Sequence, residues 1–70
     1  MDRSPLNSSY LKSVAYDMNS QTLEIEFHNG SICQYLEVPS VTHSTLMLSS
    51  SQGTYFKENI KNSYSKKKIR

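Results

Sequence analysis

Asn29-Gly30 stands between two runs of alternating residues, Leu23-Glu24-Ile25-Glu26-Phe27 and Ile32-Cys33-Gln34-Tyr35-Leu36. This pattern predicts a β-hairpin over Thr22 to Val38, with Asn-Gly at the centre of a type I′ turn, because neither residue strongly resists positive φ. The register of a hairpin decides which side chains share a face. With a two-residue loop, Phe27 lies opposite Ile32, Ile25 opposite Gln34 and Leu23 opposite Leu36. Glu26 then meets Cys33, and Glu24 meets Tyr35.

Tyr10 to Tyr16 reads as the preceding strand, since Val14 and Tyr16 are strand formers at period two. A four-residue loop from Met18 to Gln21 sets Asp17 opposite Thr22, Tyr16 opposite Leu23 and Val14 opposite Ile25. Asp17 is expected to hold this turn through nearby backbone. One face then carries Val14, Tyr16, Leu23, Ile25, Phe27, Ile32, Leu36 and Val38, with Gln34 the odd member. The other carries Ser13, Ala15, Glu24, Glu26, Cys33, Tyr35 and Glu37. A sheet with one apolar face needs a cover.

The second half of the chain supplies that cover. Pro39 ends the third strand, and a helix runs from Ser40 to about Ser50 with Val41, Leu46, Met47 and Leu48 as its apolar residues. Gly53 is expected to end that helix in a left-handed conformation. From Thr54 a second helix carries Phe56, Ile60 and Tyr64 at i, i+4 and i+8. The predicted fold is therefore α+β: a three-stranded antiparallel β-meander covered on one face by two short C-terminal helices, in the order β-β-β-α-α. Residues 8–64 form the domain, residues 1–9 read as loose, and residues 65–70 read as a basic flexible tail.

A chain of 70 residues is one domain with about 3–5 kcal/mol of stability to draw from a single core. Cys33 is its one cysteine, so an internal disulfide and a zinc site built on paired cysteines are both excluded. His28 and His43 have no partner at ligand spacing, and Cys33 reads as an inert structural thiol. No metal, no cofactor and no enzymatic activity are expected. The cysteine usage and the lack of a signal-peptide pattern point to a reducing cytoplasm. The longest apolar run, Leu46-Met47-Leu48, is far too short to span a membrane.

The formal net charge of +2 hides an uneven distribution. Lys57, Lys61, Lys66, Lys67, Lys68 and Arg70 stand against Glu58 alone. Earlier in the chain Arg3 and Lys12 face Asp2, Asp17, Glu24, Glu26 and Glu37. A basic end on a near-neutral body attracts polyanions. Lys57, Lys61, Lys66, Lys67, Lys68 and Arg70 are thus candidate phosphate contacts. Tyr55, interleaved with the lysines, and Tyr35, on the polar sheet face, are candidate stacking surfaces for unpaired bases.

Read in order, Ser9-x-Leu11-x-x-Val14-x-Tyr16-Asp17, Leu23-x-Ile25-x-Phe27-x-x-Gly30, Tyr35-x-x-Val38-Pro39 and Ser51-x-Gly53-x-Tyr55-Phe56-x-x-x-Ile60 resemble the KTSC domain. That family takes its name from the C-terminal extension of some lysyl-tRNA synthetases and also occurs as small free-standing bacterial and phage proteins. The resemblance covers roughly residues 8 to 64. It implies a non-catalytic module for nucleic acid, RNA or tRNA above all. A protein-interaction module, self-associating or binding a bacterial partner through an exposed strand edge, is the alternative. The family's Tyr-x-Tyr falls on Cys33-Gln34-Tyr35, so the first aromatic is replaced.

Overall fold

The computed structural model describes residues 3–70. Its elements run β1 (Arg3–Pro5), β2 (Leu11–Asp17), β3 (Thr22–Phe27), β4 (Ile32–Tyr35), α1 (Ser40–Leu48), α2 (Gln52–Asn59) and β5 (Lys66–Lys68). All five strands form one antiparallel sheet in the order β1-β2-β3-β4-β5. The expected α+β class and the position of the helices after the meander hold. The strand count does not, because segments read as a loose start and a flexible tail supply the two edges. Met1 and Asp2 lie outside the described residues. The tail is held in place: the Leu36 N–H donates to the Ser65 carbonyl at 2.9 Å, and the Ile69 N–H donates to the Ile32 carbonyl at 2.8 Å. Both edge strands are short and carry Pro5 or lysines, which suits an exposed edge and gives no period to read.

Between β2 and β3 the register is the expected one, with Asp17 opposite Thr22, Tyr16 opposite Leu23 and Val14 opposite Ile25. The Asp17 carboxylate accepts the Asn19 N–H at 3.0 Å, the local capping that Asp favours in turns. A bulge between Leu11 and Ser13 returns Leu11 to the core side.

The second hairpin departs from expectation by one residue. Its loop is His28-Asn29-Gly30: Phe27 N–H donates to the Ser31 carbonyl at 2.9 Å, and Gly30 N–H to the Phe27 carbonyl at 3.0 Å. Within this loop only Gly30 has positive φ, at 93°, and the Asn29 side chain instead accepts the Ser31 N–H at 2.9 Å. This is a three-residue loop closed by a left-handed glycine. Leu23 therefore faces Tyr35, Glu24 faces Gln34, Ile25 faces Cys33 and Glu26 faces Ile32. One step of register exchanges the two faces of a strand. Cys33 and Tyr35 consequently lie in the core, whereas Ile32 and Gln34 share the face of the two glutamates and Leu36 is exposed.

The core side of the sheet presents Leu11, Val14, Leu23, Ile25, Phe27, Cys33, Tyr35 and Val38 to Leu46 of α1 and to Phe56 and Ile60 at α2. Phe56 anchors the cover, with its ring edge-on to Tyr35 at 5.4 Å and to Phe27 at 5.8 Å. α1 covers less than its composition suggests, because Val41 and Leu48 face solvent. Gly53 lies inside α2 without a positive φ, so its expected role as a left-handed helix terminus is not what the fold uses. Its backbone packs so near Ser8 that a Cβ there would stand 2.8 Å from Ser8 Oγ. Tyr64 follows α2 in a turn, and its hydroxyl meets Thr42 Oγ1 at 3.2 Å. Among the described residues no helix is long and apolar enough to cross a membrane.

Candidate nucleic-acid interface

On the helix side of the sheet, α1 and α2 leave the hairpin end between β4, β5 and the β1–β2 connection uncovered. A groove of about 490 Å³ opens there. Tyr10, Phe27, Cys33 and Tyr35 line its apolar part, with Lys61, Lys66 and Lys68 beside them and Ser9, His28, Asn29 and Ser31 along the hairpin tip. The lysines arrive from two separate segments. Ile60 turns inward at the end of α2, where the Ile60 and Lys61 N–H groups both donate to the Phe56 carbonyl at 2.9 Å, and Lys61 follows on the groove wall. Lys66 pairs with Tyr35 and Lys68 with Cys33, so strand alternation directs both to the helix side.

Tyr10 closes the groove toward the N-terminal part of the sheet. Its ring sits 5.2 Å from Phe27 and 6.0 Å from Phe56, and Lys57 Nζ lies 4.6 Å from its centroid, a cation–π contact. His28 ties the hairpin tip to the same connection, with Nε2 2.8 Å from the Ser8 carbonyl.

The sequence-predicted residues therefore divide. Lys61, Lys66 and Lys68 converge on the groove, and Lys57 flanks it through Tyr10. Lys67 pairs with Gln34 and points to the opposite face. Arg70 lies there too: its Nη2 is 3.8 Å from Glu26 Oε2, and its Nε donates to the Gly30 carbonyl at 3.3 Å. Tyr55 packs half-buried against the core and is not part of the groove wall. Tyr35 is only 1% exposed, so the free stacking face expected of it does not exist, and its neighbours across the strand are Leu23 and Lys66 rather than Glu24. Burial, with smaller effects from Cys33 and Tyr10, pushes the Tyr35 phenol up to about 12. The sequence marked Tyr10 only as the start of a strand and gave His28 no role as a ligand. Tyr10 carries a legible signal only in retrospect, as an aromatic at the start of a strand whose partner strand ends in Phe27.

The opposite sheet face is electrostatically closed. Glu24 is paired with Arg3 and accepts the Gln34 amide at 2.9 Å. These contacts, the Gln34 hydrogen bond foremost, hold its carboxyl below the usual range against the opposing effect of burial. Glu26 accepts the Ser13 hydroxyl at 3.1 Å and lies 3.8 Å from both Lys12 and Arg70. By contrast, among the described residues none of Lys57, Lys61, Lys66 and Lys68 is paired with a carboxylate. No three His, Cys, Asp or Glu side chains gather at metal-binding spacing among those residues.

The KTSC domain profile matches residues 7–64. The chain belongs to the KTSC domain family. Its fold is close to that of a KTSC domain protein from Yersinia pestis, with a TM-score of 0.92 and 37% identity over 99% of this chain and 97% of that one. An uncharacterized protein of Stutzerimonas stutzeri is 38% identical over 58 residues, which span 83% of this KTSC domain chain and 82% of that protein. A lysine–tRNA ligase of Nostoc sp. is 38% identical over 56 residues, 80% of this chain but 10% of the ligase. The similarity thus falls on a small part of the synthetase, and none of these matches indicates a catalytic family.

Proposed function

We propose that this KTSC domain is a non-catalytic nucleic-acid-binding module that holds an RNA backbone along Lys61, Lys66 and Lys68, with Lys57 at the margin. The observation that carries the reading is the convergence of Lys61, Lys66 and Lys68 on one groove, none paired with a carboxylate among the described residues, while Glu24 and Glu26 are paired with cations on the other face. Like charges gathered around a cleft repel one another and focus a field that attracts anions. Similarity to part of a lysine–tRNA ligase favours RNA among the polyanions. Each phosphate contact adds about −0.7 to the slope of log affinity against log salt for a single strand. Three to four lysines predict a slope of about −2 to −3 with labelled tRNA, measured by anisotropy between about 50 and 200 mM salt. Binding indifferent to salt, or none below about 100 μM, ends the proposal.

A protein-interaction module is the second reading. The feature favouring it is the exposure of Val41 and Leu48, seven residues apart on α1. A dimer in sedimentation that survives neutralising the groove lysines would favour this reading over the first.

A further inference from the structure

We infer that the groove takes one unpaired nucleotide of an RNA strand, its base against the aromatic wall and its flanking phosphates on the lysines. This inference rests on the phosphate-binding reading above and adds what the apolar half of the groove is for. Attracting backbone phosphates calls only for lysines along a polar channel. Here the lysines border a concave, partly aromatic cleft instead. Tyr10 and Phe27 contribute rings to it, Tyr35 only the little that its 1% exposure leaves, and Phe27 keeps 9% of its surface exposed although it sits in the core cluster. At about 490 Å³ the cleft has the size that encloses a single small molecule. A base pair held in a duplex cannot enter a recess behind its own backbone, so the occupant must be unstacked.

The rings are already ordered. Tyr10 is held by Phe27, by Phe56 and by Lys57, which approaches its ring at 4.6 Å. A base stacking there displaces solvent without first freezing a mobile side chain, which is how stacking platforms gain affinity. Donors for a base edge are present as well. The Asn29 carboxamide has its oxygen engaged by Ser31 N–H, which leaves its NH2 to donate. Tyr35, also on the cleft wall, carries a phenol that is neutral at ordinary pH. The lysines bring no competing carboxylate into the cleft, and Glu24 and Glu26 are on the far side of the sheet.

The test compares four probes on the intact chain at fixed low salt: a single-stranded RNA decamer, the same decamer paired to its complement, the decamer with its central bases removed, and adenosine monophosphate. Single-strand affinity should exceed that of both the duplex and the abasic strand by between about five-fold and about 150-fold, the range of one base–aromatic contact. Resonances of Tyr10, Asn29 and Cys33 should shift with the intact decamer and stay put with the abasic one. Because the change is made on the RNA, no folding defect of a variant can imitate the result. Equal affinity for intact, abasic and paired strands, with the salt slope retained, overturns the base site and leaves phosphate binding standing. Binding of adenosine monophosphate as tight as the decamer overturns the strand as occupant. No binding of any RNA overturns both readings.

Discussion

Gly53 illustrates how one residue can be constrained by a neighbour rather than by its own backbone angles. Replacing glycine by alanine inside a helix ordinarily stabilises by up to about 1 kcal/mol. In this chain the added methyl would sit 2.8 Å from Ser8 Oγ. That hydroxyl cannot move freely, because it accepts the Tyr10 N–H at 3.0 Å and the Leu11 N–H at 3.1 Å at the start of β2. Rotating it away orphans two backbone donors, at about 1–3 kcal/mol for a buried group left unpaired. Gly53→Ala should therefore lower stability by about 1–2 kcal/mol in urea titration. In a Ser8→Ala background the clash is gone, and the same substitution should become neutral or stabilising. Stabilisation in the wild-type background would show that the Ser8 contact yields without consequence. Since Ser8 also sets the connection that carries Tyr10, the geometry of the groove depends on this small residue.

The strand elements show where pattern stops being informative. Alternation in β2 and β3 fixed their faces, and Asp17 announced the intervening turn. The Asn29-Gly30 pair announced a hairpin but not its loop length, since Asn-Gly fits both a two-residue turn and the last two positions of a three-residue loop. That single step moved Tyr35 from a surface to the core. β1 and β5 were unreadable for another reason: three residues have no period, and lysines are what protects an edge. β5 nevertheless makes a sharp prediction because alternate residues serve opposite faces. Lys68→Gln or Lys66→Gln should make the RNA salt slope shallower by about 0.7 each, whereas Lys67→Gln should change it by far less. Equal effects from all three would mean that the segment binds as an unstructured polycation. Deleting residues 66–70 is a poorer probe, because it also strips the backbone partners of Ile32 and uncovers the edge of β4. That deletion should lower the melting temperature, and an unchanged one would contradict the pairing.

At the scale of the whole molecule, the sequence conveyed an amphipathic sheet, its helical cover and a surplus of C-terminal lysines. It could not convey that the sheet divides this surplus between two faces, because that depends on a strand too short to recognise. The same closure gives stability a predictable dependence on pH. His43 stacks on Tyr16 with ring centroids 4.7 Å apart and planes 11° from parallel, and burial holds its imidazole below the ordinary value of 6.5. The unfolded chain therefore binds that proton more readily than the folded one, so stability is full above about 6.5 and falls as pH drops below it. Glu24 behaves in the same direction over a lower window. Its carboxyl is held below 4.5, mainly by Gln34, and its contribution is present above 4.5 and lost as pH falls through the folded value. Denaturation measured from pH 8 to pH 3 should thus show two declines, one beginning near 6.5 and one near 4.5. His43→Gln should remove the first and spare the second, and Glu24→Gln should do the reverse. In a domain with only about 3–5 kcal/mol to spare, the unfolding midpoint is the sensitive readout for either decline. A His43→Gln profile parallel to that of the wild type throughout would mean that the stacked imidazole takes up its proton as easily folded as unfolded, and that α1 does not seal this end of the core.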